Sequence, residues 1–298
     1  MVLALWAVMD IGTNSSRLLL AEYNRKSGKL QTVRRELRTT RIGFGMKNGN
    51  SYLSPEAINR TLQALADFSA VLKNYPVEKV VLLATQAVRG ARNQGEFVEK
   101  IKVRLGWDLQ IISGEEEARL SYLGAMQGLT VTGVPVVIDI GGGSTEVIGK
   151  EENGQETYQV HSLPLGALYL WENPLSEEKI QRSLAEGLAD FSWPGEVSLV
   201  GVGGTVTTVA AVQLGLVHYA AEKVQGLKLS LTELRALYEK LKEMPPKARL
   251  QVAGITSGRE DIIVAGMQIL ISIMAYWQVQ QITVSDQDLL QGAIIINK

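Results

Sequence analysis

A chain of 298 residues exceeds one ordinary domain and suits two. With 46% hydrophobic and 20% charged residues each half can bury a core, and a formal net charge of -1 excludes the broad basic field of a nucleic-acid or anionic-membrane binder. The absence of cysteine excludes disulfides, thiolate zinc sites and a cysteine nucleophile, and only two histidines, His161 and His218, point away from a multi-histidine metal site and a serine–histidine triad, toward a carboxylate as any general base.

The N-terminal MVLALWAVMD has no basic n-region and only a short apolar run, so it reads as a buried strand rather than a signal peptide. From Asp10, DIGTNSSRLLL reads as a tight glycine turn followed by a second strand. Arg34, Arg35, Arg38 and Arg41 form a basic stretch able to guide an anionic chain, read mainly as decoration of an exposed strand. Ser54 and Pro55 form an N-cap and first-turn proline, and Ile58, Leu62, Leu65, Val71 and Leu72 supply a helical apolar face. A buried strand follows at Val80–Ala84, a helix at Asn93–Leu105 with Glu96 at its capping-box position, a strand at Leu109–Ile112, and a helix from Glu115 to about Gln127.

The phrase then returns. DIGGGSTEVIG opens at Asp139 after the apolar run Val134–Ile138. Strands are expected at Val136–Asp139, Glu146–Gly149 and Tyr158–Ser162, then a helix at Ser176–Phe191, a strand at Val197–Val202 and a helix from Val206. Ser230 caps a further helix with Glu233 three residues on; Gly258–Trp277 is a long helix, Ile282–Val284 a strand, and Asp286 opens a closing helix. The longest apolar stretch, Ile262–Trp277, is interrupted by Gln268 and Ser272 and falls short of the ~20 residues of a membrane helix, so a soluble, cytoplasmic protein is expected. Two copies of one local design imply an α/β protein of two similar domains, 1–126 and 127–298, each a mixed sheet covered by helices, with the final helix able to pack back on the first domain.

Each DIG turn places glycines where backbone N–H groups converge, which suits phosphate. Thr13, Asn14 and Ser15 in one turn, with Ser144 and Thr145 in the other, add side-chain donors. A third glycine-rich loop, GVGGTVTT at 201–208, lies between strand and helix, where it serves either as an anion site or as a tight connection. Asp10 and Asp139, at strand ends beside these loops, suit magnesium, an oxygen-seeking ion that keeps several waters; each would also serve to accept turn N–H bonds. In SGEEEARLSYLGAM, Ser113 reads as an N-cap, Glu116 takes the capping-box position and Glu115 complements the helix dipole. Glu117 is left without such a task and is available to orient and deprotonate water, although three solvated acids opening a helix account for the spacing equally well. Arg89 and Arg92, just after a buried strand, suit bidentate phosphate contact, and Arg17 in the first turn suits the same work.

DIGTNSSRLLL, TRIGFGMKNGNSYLSPEAINRTLQAL, ATQAVRGARN, IISGEEEARLSYLGAM, VVIDIGGGSTEVI and VGGTVTTVAAV, in this order, resemble the exopolyphosphatase/guanosine pentaphosphate phosphatase (Ppx/GppA) family over almost the whole chain. DIGGGSTE alone would indicate only the wider actin-like superfamily. The resemblance implies two ribonuclease-H-like (actin-like) domains with the active site in the cleft between them. It implies an exopolyphosphatase releasing orthophosphate from the end of inorganic polyphosphate, or, as the alternative, a guanosine pentaphosphate (pppGpp) 5′-phosphohydrolase. An actin-like nucleotide switch and a small-molecule kinase rank lower. Carried over motif by motif, the catalytic glutamate is Glu117 with Arg89 as its arginine. The magnesium-associated aspartate is Asp139, with Asp10 and the GGGSTE acid Glu146 as further metal candidates. The phosphate loops fall on Gly12, Thr13, Asn14 and Ser15, on Gly141, Gly142, Gly143, Ser144 and Thr145, and on Gly203, Gly204 and Thr205. Mg2+ or another divalent cation is the implied cofactor, and a homodimer is expected from the resemblance alone; neither nucleic acid nor membrane is expected as a partner. Where the family often carries Arg-Glu in an S-x-x-x-L-R-E-G sequence, this chain has Leu290 and Gln291, which puts local contacts there in question. Longer members continue into helical C-terminal domains associated with long-chain handling, so processive action on very long polyphosphate is not implied.

Overall fold

In the first half the apolar run of the N-terminus becomes strand β1 (Leu3–Ile11), which is central to its sheet and must therefore be apolar on both sides. The computed structural model describes residues 3–24, 26–46, 51–150, 158–191 and 195–297; Met1 and Val2 of the expected first strand lie outside them. Ala7, Met9 and Ile11 pack on one face with Ile58, Leu65, Phe68, Phe97 and Ile101, whereas Ala4, Trp6 and Val8 pack on the other with Leu120, Leu289, Ala293 and Ile294. The period of two assigns each side chain to its layer.

Strands β2 (Ser15–Asn24) and β3 (Lys29–Thr39) run antiparallel beside β1, and β4 (Lys79–Ala84) and β5 (Leu109–Ile111) run parallel to it, in the order β3-β2-β1-β4-β5. Between them lie helices α1 (Pro55–Leu72), α2 (Gln86–Arg89) and α3 (Gln94–Leu105), followed by α4 (Gly114–Ala125). Ser54 caps α1 by accepting the Ala57 N–H, with Pro55 in the first turn. Asn93 precedes α3 but makes no side-chain cap. Its carboxamide brackets Leu53 instead, accepting the Leu53 N–H at 2.9 Å and donating to the Leu53 carbonyl at 3.0 Å. Asn93→Ala is accordingly expected to destabilise the fold by about 1–3 kcal/mol, because two buried backbone groups lose their partner. The effect reads as a lower urea midpoint with unchanged m-value.

The second half repeats the plan. β6 (Val134–Ile140), β7 (Thr145–Lys150) and β8 (Tyr158–Leu163) form the antiparallel part, β9 (Val197–Val202) and β11 (Gln281–Val284) the parallel part, and β10 (Lys228–Ser230) an added edge strand. The order β10-β11-β9-β6-β7-β8 contains the five-strand order of the first sheet. Register repeats as well: Asp10 lies opposite Arg17 across β1–β2, and Asp139 opposite Glu146 across β6–β7. Helices α5 (Ala167–Glu172), α6 (Glu177–Gly187), α7 (Gly203–Gln213), α8 (Ala221–Val224), α9 (Leu231–Glu243), α10 (Pro246–Arg249), α11 (Ile263–Tyr276) and α12 (Leu289–Ile296) complete the chain. Both sheets are mixed and flanked by helices.

Several boundaries depart from the periodicity. α6 stops at Gly187, and Phe191 leaves the helix to pack edge-on against His161 and beside Trp277. α7 begins at Gly203 rather than Val206, so its glycines form the first turn. α11 begins at Ile263, not Gly258, because Gly258 has φ +85° and the following turns are held by the Gly258 N–H on Glu260 and by Arg249 Nη1 on the Glu260 carbonyl. α12 begins at Leu289 rather than Asp286. The chain divides into two compact units, Met1–Leu120 with Leu289–Lys298, and Ser121–Asp288. The change of unit falls within α4 rather than after it, and α12 belongs with the first unit, where Leu289, Leu290, Ala293 and Ile294 complete the layer under β1.

Candidate functional site

Parallel strands end on one edge of a sheet, and ligands in open α/β sheets gather at that carboxyl edge. In the first unit β1, β4 and β5 deliver there the turn Gly12–Ser15, α2 with Arg89, and the start of α4 with Glu117. Ser113 Oγ accepts the Glu116 N–H at 3.0 Å and starts α4. Glu115 and Glu116 are exposed, whereas the Glu117 side chain is 13% exposed and receives Arg89 Nη1 at 2.9 Å. The same Nη1 donates to the Ile112 carbonyl at 2.8 Å, which anchors the guanidinium to the end of β5. Two residues singled out separately from sequence are thus one ion pair.

The first glycine turn is a two-residue hairpin closed by the Gly12 N–H on the Ser15 carbonyl at 3.0 Å. Behind it, the Gly43 N–H donates to the Thr13 carbonyl at 3.1 Å and the Arg41 N–H to the Asn14 carbonyl at 2.8 Å. No peptide bond among the described residues is cis, so the Asn14 N–H points opposite to the pinned Thr13 carbonyl, away from the supporting loop. Asn14 is buried, and its Nδ2 donates to Ser15 Oγ at 3.1 Å. Arg17 is paired within the hairpin: Nε and Nη2 both donate to Asp10 Oδ2, at 3.1 and 2.8 Å, and the aspartate is buried. Arg92, expected as a second phosphate arginine, follows the isolated bridge between Ser51 and Ala91, and its N–H donates to the Ser51 carbonyl.

The second turn has the same hairpin, with the Gly141 N–H on the Ser144 carbonyl at 2.9 Å. Its support is α5, whose Ala167 N–H donates to the Gly141 carbonyl and whose Leu168 and Tyr169 N–H groups donate to the Gly142 carbonyl, each at 2.9 Å. With those carbonyls drawn into α5, the N–H groups of Gly142 and Gly143 face the other way, side by side. Adjacent amides facing one way are an anion nest. Gly166 permits this approach, since a Cβ there would lie 2.3 Å from the Gly143 carbonyl carbon.

Asp139 and Glu146 are directly opposed and therefore share a face of their sheet. Asp139 Oδ2 accepts from Ser121 Oγ at 2.7 Å, and Glu146 Oε1 from Ser144 and Ser162 Oγ at 2.6 and 3.0 Å. The corresponding slots of the first unit hold Asp10 and Arg17, an internally neutral pair. Two neighbouring acids beside an anion nest fit a cation in a way that the neutral pair does not. Among the described residues no group of three or more His, Asp or Glu side chains stands ready to cage a metal. The donor set therefore fits a magnesium ion that takes one or two carboxylates and completes its shell with phosphate oxygens and water.

The third loop lies beside Asp139. Gly203, at φ +83°, passes so close that a Cβ would be 2.8 Å from Asp139 Oδ1. The guanidinium of Arg259 covers the next glycine, with Nη2 1.9 Å from where a Gly204 Cβ would stand. Thr205 is buried against Gly266 of α11. Ser121, Ser162 and Arg259 escaped the sequence reading. Only Ser121 had a signal, standing one helical turn after Glu117 on α4. His161 is occupied structurally, with Nδ1 2.7 Å from the Gly187 carbonyl. No helix among the described residues is long and apolar enough to cross a membrane.

Residues 23–296 match the model of the Ppx/GppA phosphatase family. A crystal structure of the Aquifex aeolicus member of that family is 29% identical, with a TM-score of 0.80 over 99% of this chain and 98% of that one. An exopolyphosphatase from Cytophaga hutchinsonii is 25% identical, with a TM-score of 0.85 over 98% of each chain. An exopolyphosphatase-like protein is 26% identical, with a TM-score of 0.88 over 99% of this chain and 98% of that one. A match over nearly the entire length, together with full-length structural neighbours, makes this chain a member of the Ppx/GppA phosphatase family.

Proposed function

We propose that this phosphatase is an exopolyphosphatase that removes the terminal phosphate of inorganic polyphosphate by attack of water. The observation that carries the proposal is the Arg89–Glu117 pair, a carboxylate largely withdrawn from solvent and fixed at 2.9 Å at the start of a helix. The guanidinium favours the ionised carboxylate, as does the helix N-terminus. Such a carboxylate takes a proton from water as the water oxygen bonds to the terminal phosphorus and the bridging P–O bond breaks. The products are orthophosphate and the chain shortened by one unit, and Glu117 returns its proton to solvent.

The backward-pinned hairpins support the binding side of the proposal. N–H groups of Asn14, Gly142 and Gly143 are fixed donors for phosphate oxygens, and fixed donors need no reorganisation as charge shifts in the transition state. Thr13, Ser15, Ser144, Thr145, Gly203, Gly204 and Thr205 are assigned to the same phosphate-binding loops. Asp139, with Glu146 beside it, is the proposed anchor for magnesium, which when bound neutralises phosphate charge. Asp10 is the weaker candidate, because Arg17 already balances it. Polyphosphate is preferred as substrate because a solved relative of similar length is an exopolyphosphatase. The 5′-triphosphate of guanosine pentaphosphate presents the same terminal phosphoanhydride and is the second reading.

Parallel phosphate-release assays on polyphosphate and on guanosine pentaphosphate, with magnesium and with EDTA, test this. Faster release from polyphosphate, abolished by EDTA and restored by magnesium, is expected. The reverse ratio selects the guanosine substrate, and undiminished release in EDTA removes the metal from the proposal.

A further inference from the structure

Ser121 is 1% exposed in the second half of α4, a place where alanine would make the better helix. A buried hydroxyl costs free energy unless it finds a partner. Mid-helix serines otherwise turn the hydroxyl to solvent or back on the carbonyl one turn earlier. Here it leaves its own helix and donates to Asp139 Oδ2 at 2.7 Å.

That bond acts on the carboxylate more than on the helix. The last torsion of an aspartate is broad, so β6 fixes where the Asp139 side chain starts but not the plane of its carboxylate. Gly203 passes Oδ1 so closely that an added Cβ would be 2.8 Å away, and Ser121 holds Oδ2. The group is therefore bounded at one oxygen and bonded at the other. In the first unit the equivalent oxygen, Asp10 Oδ2, is held by the Arg17 guanidinium. A guanidinium orients a carboxylate and cancels its charge, whereas a hydroxyl orients it and leaves the charge in place. Glu146, opposite Asp139, is held in the same way by the hydroxyls of Ser144 and Ser162.

We propose that Ser121 is a positioning residue for the metal site, setting the plane of the Asp139 carboxylate for magnesium, an inference that rests on Asp139 being the magnesium anchor. Hydrogen-bond partners that orient a metal-binding carboxylate contribute about 10–100-fold to metal affinity or activity.

Ser121→Ala removes the hydroxyl, and Ser121→Cys keeps its volume with only a weak donor. Mn2+, a paramagnetic stand-in for magnesium, is titrated onto the substrate-free protein and followed by the electron paramagnetic resonance signal of the free ion. Asp139→Asn serves as the reference for loss of the anchor, and urea midpoints are measured alongside. Mn2+ binding about 10–100-fold weaker than in the parent is expected of both Ser121 variants. The magnesium concentration for half-maximal phosphate release should rise by a similar factor, with kcat largely restored at saturating magnesium. Parent-like Mn2+ binding in both Ser121 variants, with Asp139→Asn impaired, would overturn the proposal and leave the metal reading standing, even if the urea midpoint fell. Parent-like binding in Asp139→Asn, or no binding by the parent, removes the anchor and the proposal with it.

Discussion

Glu117→Gln is expected to fold as the parent does and to lose on the order of 10²–10⁴-fold in kcat, the range that a positioned general base supplies. Glutamine keeps the shape of the side chain, and its carbonyl still accepts the Arg89 N–H that now reaches Glu117 at 2.9 Å. What disappears is a group able to take a proton. KM for polyphosphate should move little, because the fixed backbone donors are untouched. Glu116→Gln is the matched control: that side chain is exposed, and its backbone N–H continues to cap on Ser113. Steady-state phosphate release, with circular dichroism to verify the fold, decides the matter. Turnover near the parent rate would remove Glu117 from the chemistry.

Gly166→Ala should be the most damaging small substitution near the phosphate loops. The added Cβ would lie 2.3 Å from the Gly143 carbonyl carbon and 2.4 Å from the carbon and oxygen of Gly142. No rotamer change relieves a clash with backbone, so either α5 or the Gly142–Gly143 turn must move. Overpacking of this kind costs about 1–3 kcal/mol. A displacement near 1 Å of groups that grip the substrate costs about 100-fold in kcat/KM. Gly95→Ala is the contrast, since nothing lies within 4 Å of its Cβ position in α3, and it should leave stability equal or improved. Parent-like kcat/KM in Gly166→Ala would show that the turn supported by α5 does not grip the substrate.

The repeat was legible before any coordinates because it is written in local chemistry. An apolar run, an Asp-Ile-Gly turn and a second strand specify a hairpin wherever they occur, and the two hairpins agree even in register. Helices with long apolar faces, such as α1, were legible for the same reason. Features set by contacts between distant residues were not. Nothing near Asn93 in sequence reveals that its carboxamide serves Leu53 rather than α3. α5 is six residues long, too short for its period to register, yet it supports the second turn. Among the candidate residues, type and spacing led to Glu117 and Arg89 individually, but their pairing depends on β4 and β5 lying side by side. The pairing of Arg17 with Asp10 was likewise not legible, because the two become neighbours only once the hairpin closes.

The membership of α12 in the first unit has a consequence for how the protein is made. Ribosomes deliver Met1–Leu120 early, but the apolar layer under Trp6 and Val8 stays open until Leu289, Leu290, Ala293 and Ile294 emerge. Translation of everything between takes on the order of ten to thirty seconds at ordinary synthesis rates. The contiguous second unit, Ser121–Asp288, is complete before the earlier-born one can close. The apolar layer under β1 is therefore completed by the last helix to be synthesised, after every strand of both sheets.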